Sequence, residues 1–305
     1  MSRLFILALA VALLSACAGT ATVPDPVAVA PETEGQPEPP EPVERPFPDD
    51  SVYPLLVAEF ALRRRNYDVA LENYLTQAQI LRDAGVSAHT THLTQFMRRE
   101  REAMEAAQLW VELEPDNAEA QNTLANLLLR QGRSLEALPH LAAVQRLGSP
   151  ARFPTLLNGF EQLDAQQQTE LVEGINALAR EWPDNTQLLM TQALLHAEFE
   201  QFPQALKKLD ALFKIEPYQP QAILLEARVL MATGDKTPCA RLEQAVADTP
   251  KDQELRLHYA RLLTASDMPA ARKQFEILSA QSPRDGDLLL SLALINRETG
   301  DDVAA

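Results

Sequence analysis

The side chains able to do covalent or metal chemistry are few and scattered. Five histidines stand at 89, 92, 140, 196 and 258, and of these only His89 and His92 are close enough in sequence to share one helical face. No third ligand is suggested near them, so they read as surface or helix-start residues and no metal site is assigned. HExxH and GxSxG do not occur, and neither does a phosphate-binding P-loop. Carboxylates are paired throughout, but in so acidic a chain such pairing specifies nothing. No catalytic residue and no cofactor follow from these residues. The chain reads as a binding protein, with an enzyme of unrecognised type as the competing class.

The two cysteines carry different expectations. Cys239 lies in "KTPCARLEQAV" beside an apolar face and is expected to be a small buried thiol. Cys17 ends the opening "MSRLFILALAVALLSAC", in which Arg3 precedes an apolar run from Leu4 to Leu14 that is too short to span a bilayer. Leu14-Ser15-Ala16-Cys17 resembles the bacterial lipobox. The resemblance implies a signal peptide over residues 1–16 and lipidation of Cys17. Ala18, where an aspartate would signal inner-membrane retention, implies an outer-membrane anchor with the chain facing the periplasm. Acylation of Cys17 would leave Cys239 without an intrachain partner.

The elements that position any binding residues follow from composition and period. The chain has 305 residues, 46% of them hydrophobic, with ten glycines and few aromatics, which favours an all-helical fold. A net charge of −16 argues against a nucleic-acid partner, because phosphate contacts need a basic surface. Residues 18–50 hold nine prolines and eight acids against one arginine, so residues 17–50 are expected to form a disordered linker.

Beyond residue 51, prolines that end helical stretches recur at 115, 150, 183, 217, 250 and 283, at intervals of 33 to 35 residues. That period is the length of a helix-turn-helix solenoid unit. The phrase around Pro115, "ELEPDNAEA", returns around Pro183 as "REWPDNTQL". The proline stops one helix, and Asp116 and Asp184 are candidate caps or first-turn acids for the next, although no aspartate follows the later prolines directly. Alanine pairs twelve apart, Ala58/Ala70, Ala125/Ala137 and Ala193/Ala205, mark where two helices approach closely, and Tyr74, Leu141, Leu209 and Phe275 fill the second helix.

Small residues at this spacing, with a bulky residue four further on and a closing proline, resemble the tetratricopeptide (TPR) repeat. "LVAEFALRRRNYDVALENYLTQAQ" matches most closely. The resemblance implies a TPR-type α-solenoid, a right-handed superhelix of antiparallel helix pairs. Residues 51–305 divide into seven units near 51–83, 84–117, 118–151, 152–185, 186–219, 220–252 and 253–285, plus a partial eighth. Irregularity is expected in the second unit, where Thr91 is the only small-residue step before Ala103, and in the fourth, where Phe160 replaces a small residue. In the eighth, Leu289, Leu292 and Ile295 would face a missing neighbour, so the array is expected to be truncated at its C-terminus.

In TPR proteins the first helix of each unit lines a concave groove. Carried over, this makes Asn122, Asn126, Met190, Leu194, Leu224, Arg228, Met231, Leu257 and Arg261 the candidate partner-binding residues. The apolar members would hold side chains of an extended segment or a partner helix. Arg228 and Arg261 would either receive carboxylates or stay solvated beside acidic neighbours. Arg63-Arg64-Arg65 and Arg98-Arg99 with Arg101 fall near first-helix ends, where positive charge complements the helix dipole.

Lipobox, Pro/Glu spacer and repeats together resemble the TPR lipoprotein adaptor of a periplasmic carboxyl-terminal processing protease. That likeness implies as partners the protease and the peptidoglycan hydrolases delivered to it. The alternative resemblance is a pilotin-type TPR lipoprotein that assists outer-membrane secretin or pilus assembly.

Overall fold

The computed structural model describes residues 48–298. The expected signal peptide, lipidated Cys17, the linker up to residue 47 and the closing residues 299–305 lie outside the described residues. Among the described residues the chain is all helical, with fourteen α-helices, two short 3-10 turns and no strand. None of these helices is long and apolar enough to cross a membrane.

The helices pack as antiparallel hairpins in chain order. They pair as α1 (Asp49–Arg63) with α2 (Tyr67–Leu81), α3 (Ala84–Phe96) with α4 (Glu100–Leu113), and α5 (Ala118–Arg130) with α6 (Ser134–Arg146). After a non-helical entry comes α7 (Ala165–Glu181). The pairs then resume as α8 (Thr186–Glu198) with α9 (Phe202–Ile215), α10 (Pro220–Ala232) with α11 (Ala240–Asp248), and α12 (Gln253–Leu263) with α13 (Met268–Gln281). Last comes α14 (Gly286–Glu298). The first helix starts at Asp49, two residues before the expected boundary.

The three alanine pairs are fully buried, and Tyr74, Leu141, Leu209 and Phe275 are buried beside them. A methyl group at these positions lets two backbones close to packing distance. The helix caps differ from the expectation by one residue. In both "PDN" phrases the asparagine caps: Asn117 accepts from the Glu119 and Ala120 amides, and Asn185 from the Leu188 amide at 3.0 Å. Asp116 and Asp184 remain exposed ahead of the helix. Two residues after each later proline the same task falls to Gln219, Asp252 and Asp285, whose side chains accept from Ala222, Leu255 and Leu288 amides. The cap thus follows every proline of the series but Pro150, where Arg152 makes no such bond, and elsewhere only its residue type varies.

The second unit is a regular hairpin. Ser87, Thr90, Thr91 and Thr94 of α3 are fully buried, and each hydroxyl donates to a carbonyl one turn back, Thr91 to Ser87 at 2.8 Å. Their polarity is thus satisfied within the helix, and small size is what the packing uses. The fourth unit is irregular in another way: it has no first helix. Two 3-10 turns, Phe153–Leu157 and Phe160–Gln162, replace it, and the first packs against α6 and α8. Phe153 and Leu156 are fully buried there, and the ring of Phe160 meets Phe199 edge-on at 5.9 Å.

At the C-terminal end, Ile295 is buried in a cluster with Phe275, Leu278 and Leu288 and so faces the preceding hairpin; Leu289 is exposed and Leu292 half-buried.

Candidate binding groove

Three first helices, α8, α10 and α12, stand side by side in units five to seven. Their groove-lining positions repeat every 34 residues: Met190, Leu224 and His258 form one row, and Leu194, Arg228 and Leu262 the next. The first two members of each row, with His258, line an open groove of about 780 Å³. The 3-10 segment closes one end of this groove with Pro150, Arg152, Pro154 and Thr155. Arg228 and His258 also line an adjoining depression of about 500 Å³ with Met231, Arg261 and Leu262. The floor is thus apolar, of Met190, Leu194, Leu224 and Met231, and Arg152, Arg228 and Arg261 stand around it.

The three arginines are unpaired among the described residues, whereas Arg82, Arg99, Arg133, Arg146, Arg241 and Arg272 each sit beside a carboxylate. His258 lies 4.0 Å from Glu254, one turn back on α12. In a chain of net charge −16, unpaired cations over an apolar floor make a local surface opposite in sign to the whole. Guanidinium groups so placed can donate paired hydrogen bonds to a carboxylate, and the floor can take apolar side chains.

The structure gathers Met190, Leu194, Leu224, Arg228, Met231 and Arg261 of the expected residues. Asn122 and Asn126, on α5, line neither depression. Leu257 is half-buried in the cluster of Ala260, Phe275 and Leu288, and its place on the groove wall is taken by His258. The difference arises in the register: the proline interval from 217 to 250 is 33 residues, and the groove rows keep 34. The residues that spacing missed are His258, Gln187, Gln221 and Arg152. His258 completes the row of Met190 and Leu224, and Gln187 and Gln221 are themselves 34 apart, so a 34-residue period finds all three. Arg152 precedes a non-helical segment and has no periodic signal.

The other reactive groups are structural. Cys239 is a buried free thiol whose pKa is raised by burial and then by Glu243, which keeps it in its unreactive form. Tyr259 donates to Glu243 at 2.9 Å and Tyr74 donates to Glu59. Burial and these carboxylates raise both phenol pKa values. His89 packs on Tyr74, and His92, whose Nε2 lies 3.2 Å from Glu119, packs on Trp110. Among the described residues no three His, Cys, Asp or Glu side chains are grouped to hold a metal ion.

No protein-family model matches the chain. It is 32% identical over 215 residues to the TPR repeat-containing protein PA4667 of Pseudomonas aeruginosa, a stretch covering 70% of this chain and 36% of the relative. The chain thus spans about a third of the length of the curated relative it matches. Among solved structures it is similar to PilW, a type IV pilus biogenesis factor, with 16% identity, TM-score 0.42, and coverage of 69% of this chain and 98% of PilW. It is also similar to a tetratricopeptide repeat protein from Parabacteroides merdae, with 10% identity, TM-score 0.46, and coverage of 80% and 98%. For YrrB, a TPR protein with an unusual peptide-binding site, the values are 16% identity, TM-score 0.38, and 63% and 100%. By its helix order and its buried alanine steps this chain is an α-solenoid of helical hairpins, and over 70% of its length it is similar to the TPR repeat-containing protein PA4667.

Proposed function

We propose that the chain is a non-enzymatic periplasmic scaffold, anchored to the outer membrane through Cys17, that captures a protein segment in the groove of units four to seven. The observation that carries the reading is the set of unpaired arginines, Arg152, Arg228 and Arg261, over an apolar floor in an acidic chain. A segment suited to it presents apolar side chains with a carboxylate among them. By resemblance to the lipoprotein adaptor, the partners are a carboxyl-terminal processing protease and the peptidoglycan hydrolases it degrades. Holding both on one tethered array raises their effective concentration without any bond chemistry by this chain.

The test is retention of partners from a periplasmic extract by the immobilised full chain. The reading predicts a serine protease together with cell-wall hydrolases, lost when Arg228→Glu and Arg261→Glu are combined. A secretin subunit in their place, or retention indifferent to both substitutions, contradicts it. Labelled palmitate should enter the chain in cells and should fail to enter Cys17→Ser.

A further inference from the structure

The outer face of α1 is apolar and is covered by none of the described residues. Tyr53, Leu56 and Phe60 are 75%, 50% and 58% exposed. In register with the fully buried Ala58, Ala125 and Ala193, these positions correspond to Leu188, Thr191 and Leu195 in the fifth unit, which are at most 4% exposed. They correspond to Ala222, Leu225 and Val229 in the sixth, which are at most 8% exposed. In those units the face is covered by the preceding unit, through the 3-10 turn Phe153–Leu157 and α7 before α8, and through α8 and α9 before α10. In α1 the same face carries larger and more aromatic residues, yet none of the described residues covers it.

The stripe has charged ends of opposite sign. Asp50 lies one turn before Tyr53, and Arg63 one turn after Phe60, so all four fall on one side of the helix. Asp49 extends the acidic end, and Arg64 and Arg65 the basic one. None of these five charges is in an ion pair with another described residue. A surface acidic at one end, apolar in the middle and basic at the other is complementary to itself when turned end for end.

We infer that this face pairs with the same face of a second copy, the two α1 helices lying antiparallel about a two-fold axis near Leu56. In that register Tyr53 packs on the partner's Phe60, and Asp50 meets the partner's Arg63. The same contacts recur on the other side of the axis, so one register satisfies both charged ends. The pairing leaves the groove of units four to seven free and does not depend on what binds there.

Sedimentation velocity on the full chain carrying Cys17→Ser, which removes any acyl-driven association, tests the inference. A monomer–dimer equilibrium that shifts with concentration is expected. Phe60→Glu, at an exposed position, leaves the helical circular dichroism unchanged and gives a monomer. Asp50→Arg or Arg63→Asp alone places like charges opposite each other twice and weakens the dimer at least about tenfold. The two together restore opposite charges and return most of the affinity. A monomer at every concentration, growth into open-ended polymers, or a dimer that ignores both Phe60→Glu and the charge exchange overturns the inference.

Discussion

The entry to unit four and the entry to unit five follow prolines of the same series, Pro150 and Pro183, yet one forms 3-10 turns and the other a thirteen-residue helix. Two residues separate them. At the cap position α8 has Asn185, which accepts from the Leu188 amide, and unit four has Arg152, which makes no such bond. At the closest crossing of the two helices α8 has the fully buried Ala193; unit four has Phe160. A helix continued through residue 160 would drive a phenyl ring into its own hairpin partner. Instead the chain turns at Gly159, whose φ of +76° is open to glycine at little cost, and the ring goes to Phe199. The broken helix then supplies the end wall of the groove. A local failure of the repeat thus becomes part of the candidate site.

If the turns of unit four are a true core element, Phe153→Ala should cost about 3–5 kcal/mol, as for a large buried aromatic in a helix. Denaturant unfolding monitored by circular dichroism measures it, and a loss below about 1 kcal/mol would show the segment to be a surface loop. The caps offer a sharper contrast. Asn185→Ala should lose about 1 kcal/mol, whereas Arg152→Ala should stay within about 0.5 kcal/mol of the parent because no cap is removed. Equal losses would remove the cap from the explanation.

The hairpin turns give a smaller effect of opposite sign. Gly132 and Gly234 take φ of +71° and +73° after α5 and α10, and Glu200 takes +56° at the same place after α8. Glu200→Gly should therefore stabilise the chain by up to about 1 kcal/mol, seen as a raised Tm, and an unchanged or lowered Tm would mean the side chain compensates for the strain.

The smallest effect is a pH dependence at His140. Burial lowers its pKa from the ordinary 6.5, against a weaker upward pull from Glu136, while its Nδ1 lies 2.7 Å from Gln121 Oε1. Lowering favours the neutral ring in the fold, so this contribution is present above about pH 6.5 and is lost as pH falls below it. The denaturant midpoint followed from pH 7.5 down to 5.5, an ordinary working range about the histidine pKa, should decline less steeply for His140→Gln.

What the sequence made legible was what local chemistry decides. Prolines mark hairpin boundaries because they cannot continue a helix, and alanines mark the crossings because nothing larger fits. Caps were displaced by one residue because Asp and Asn both cap well, and only the geometry of the turn selects Asn117 over Asp116. The depressions follow the repeat where the row of first helices is unbroken, from Met190 to Arg261. Asn122 and Asn126 precede the break in that row and line neither depression. At Leu257 a one-residue difference between the proline interval and the groove rows turns the side chain toward the core. Arg152 was hidden for a different reason: it reaches the groove through the packing of Phe153 and Leu156, a tertiary contact without a period.

The central claim is that partners are held by the groove of units four to seven. Its most direct test places a photo-crosslinking amino acid at Leu224, on the groove floor, and in a second protein at exposed Lys273 on α13, with irradiation in the periplasmic extract. The account predicts partner adducts from position 224 that disappear when Arg228→Glu and Arg261→Glu are added, and none from position 273. Adducts from 273 alone would contradict it.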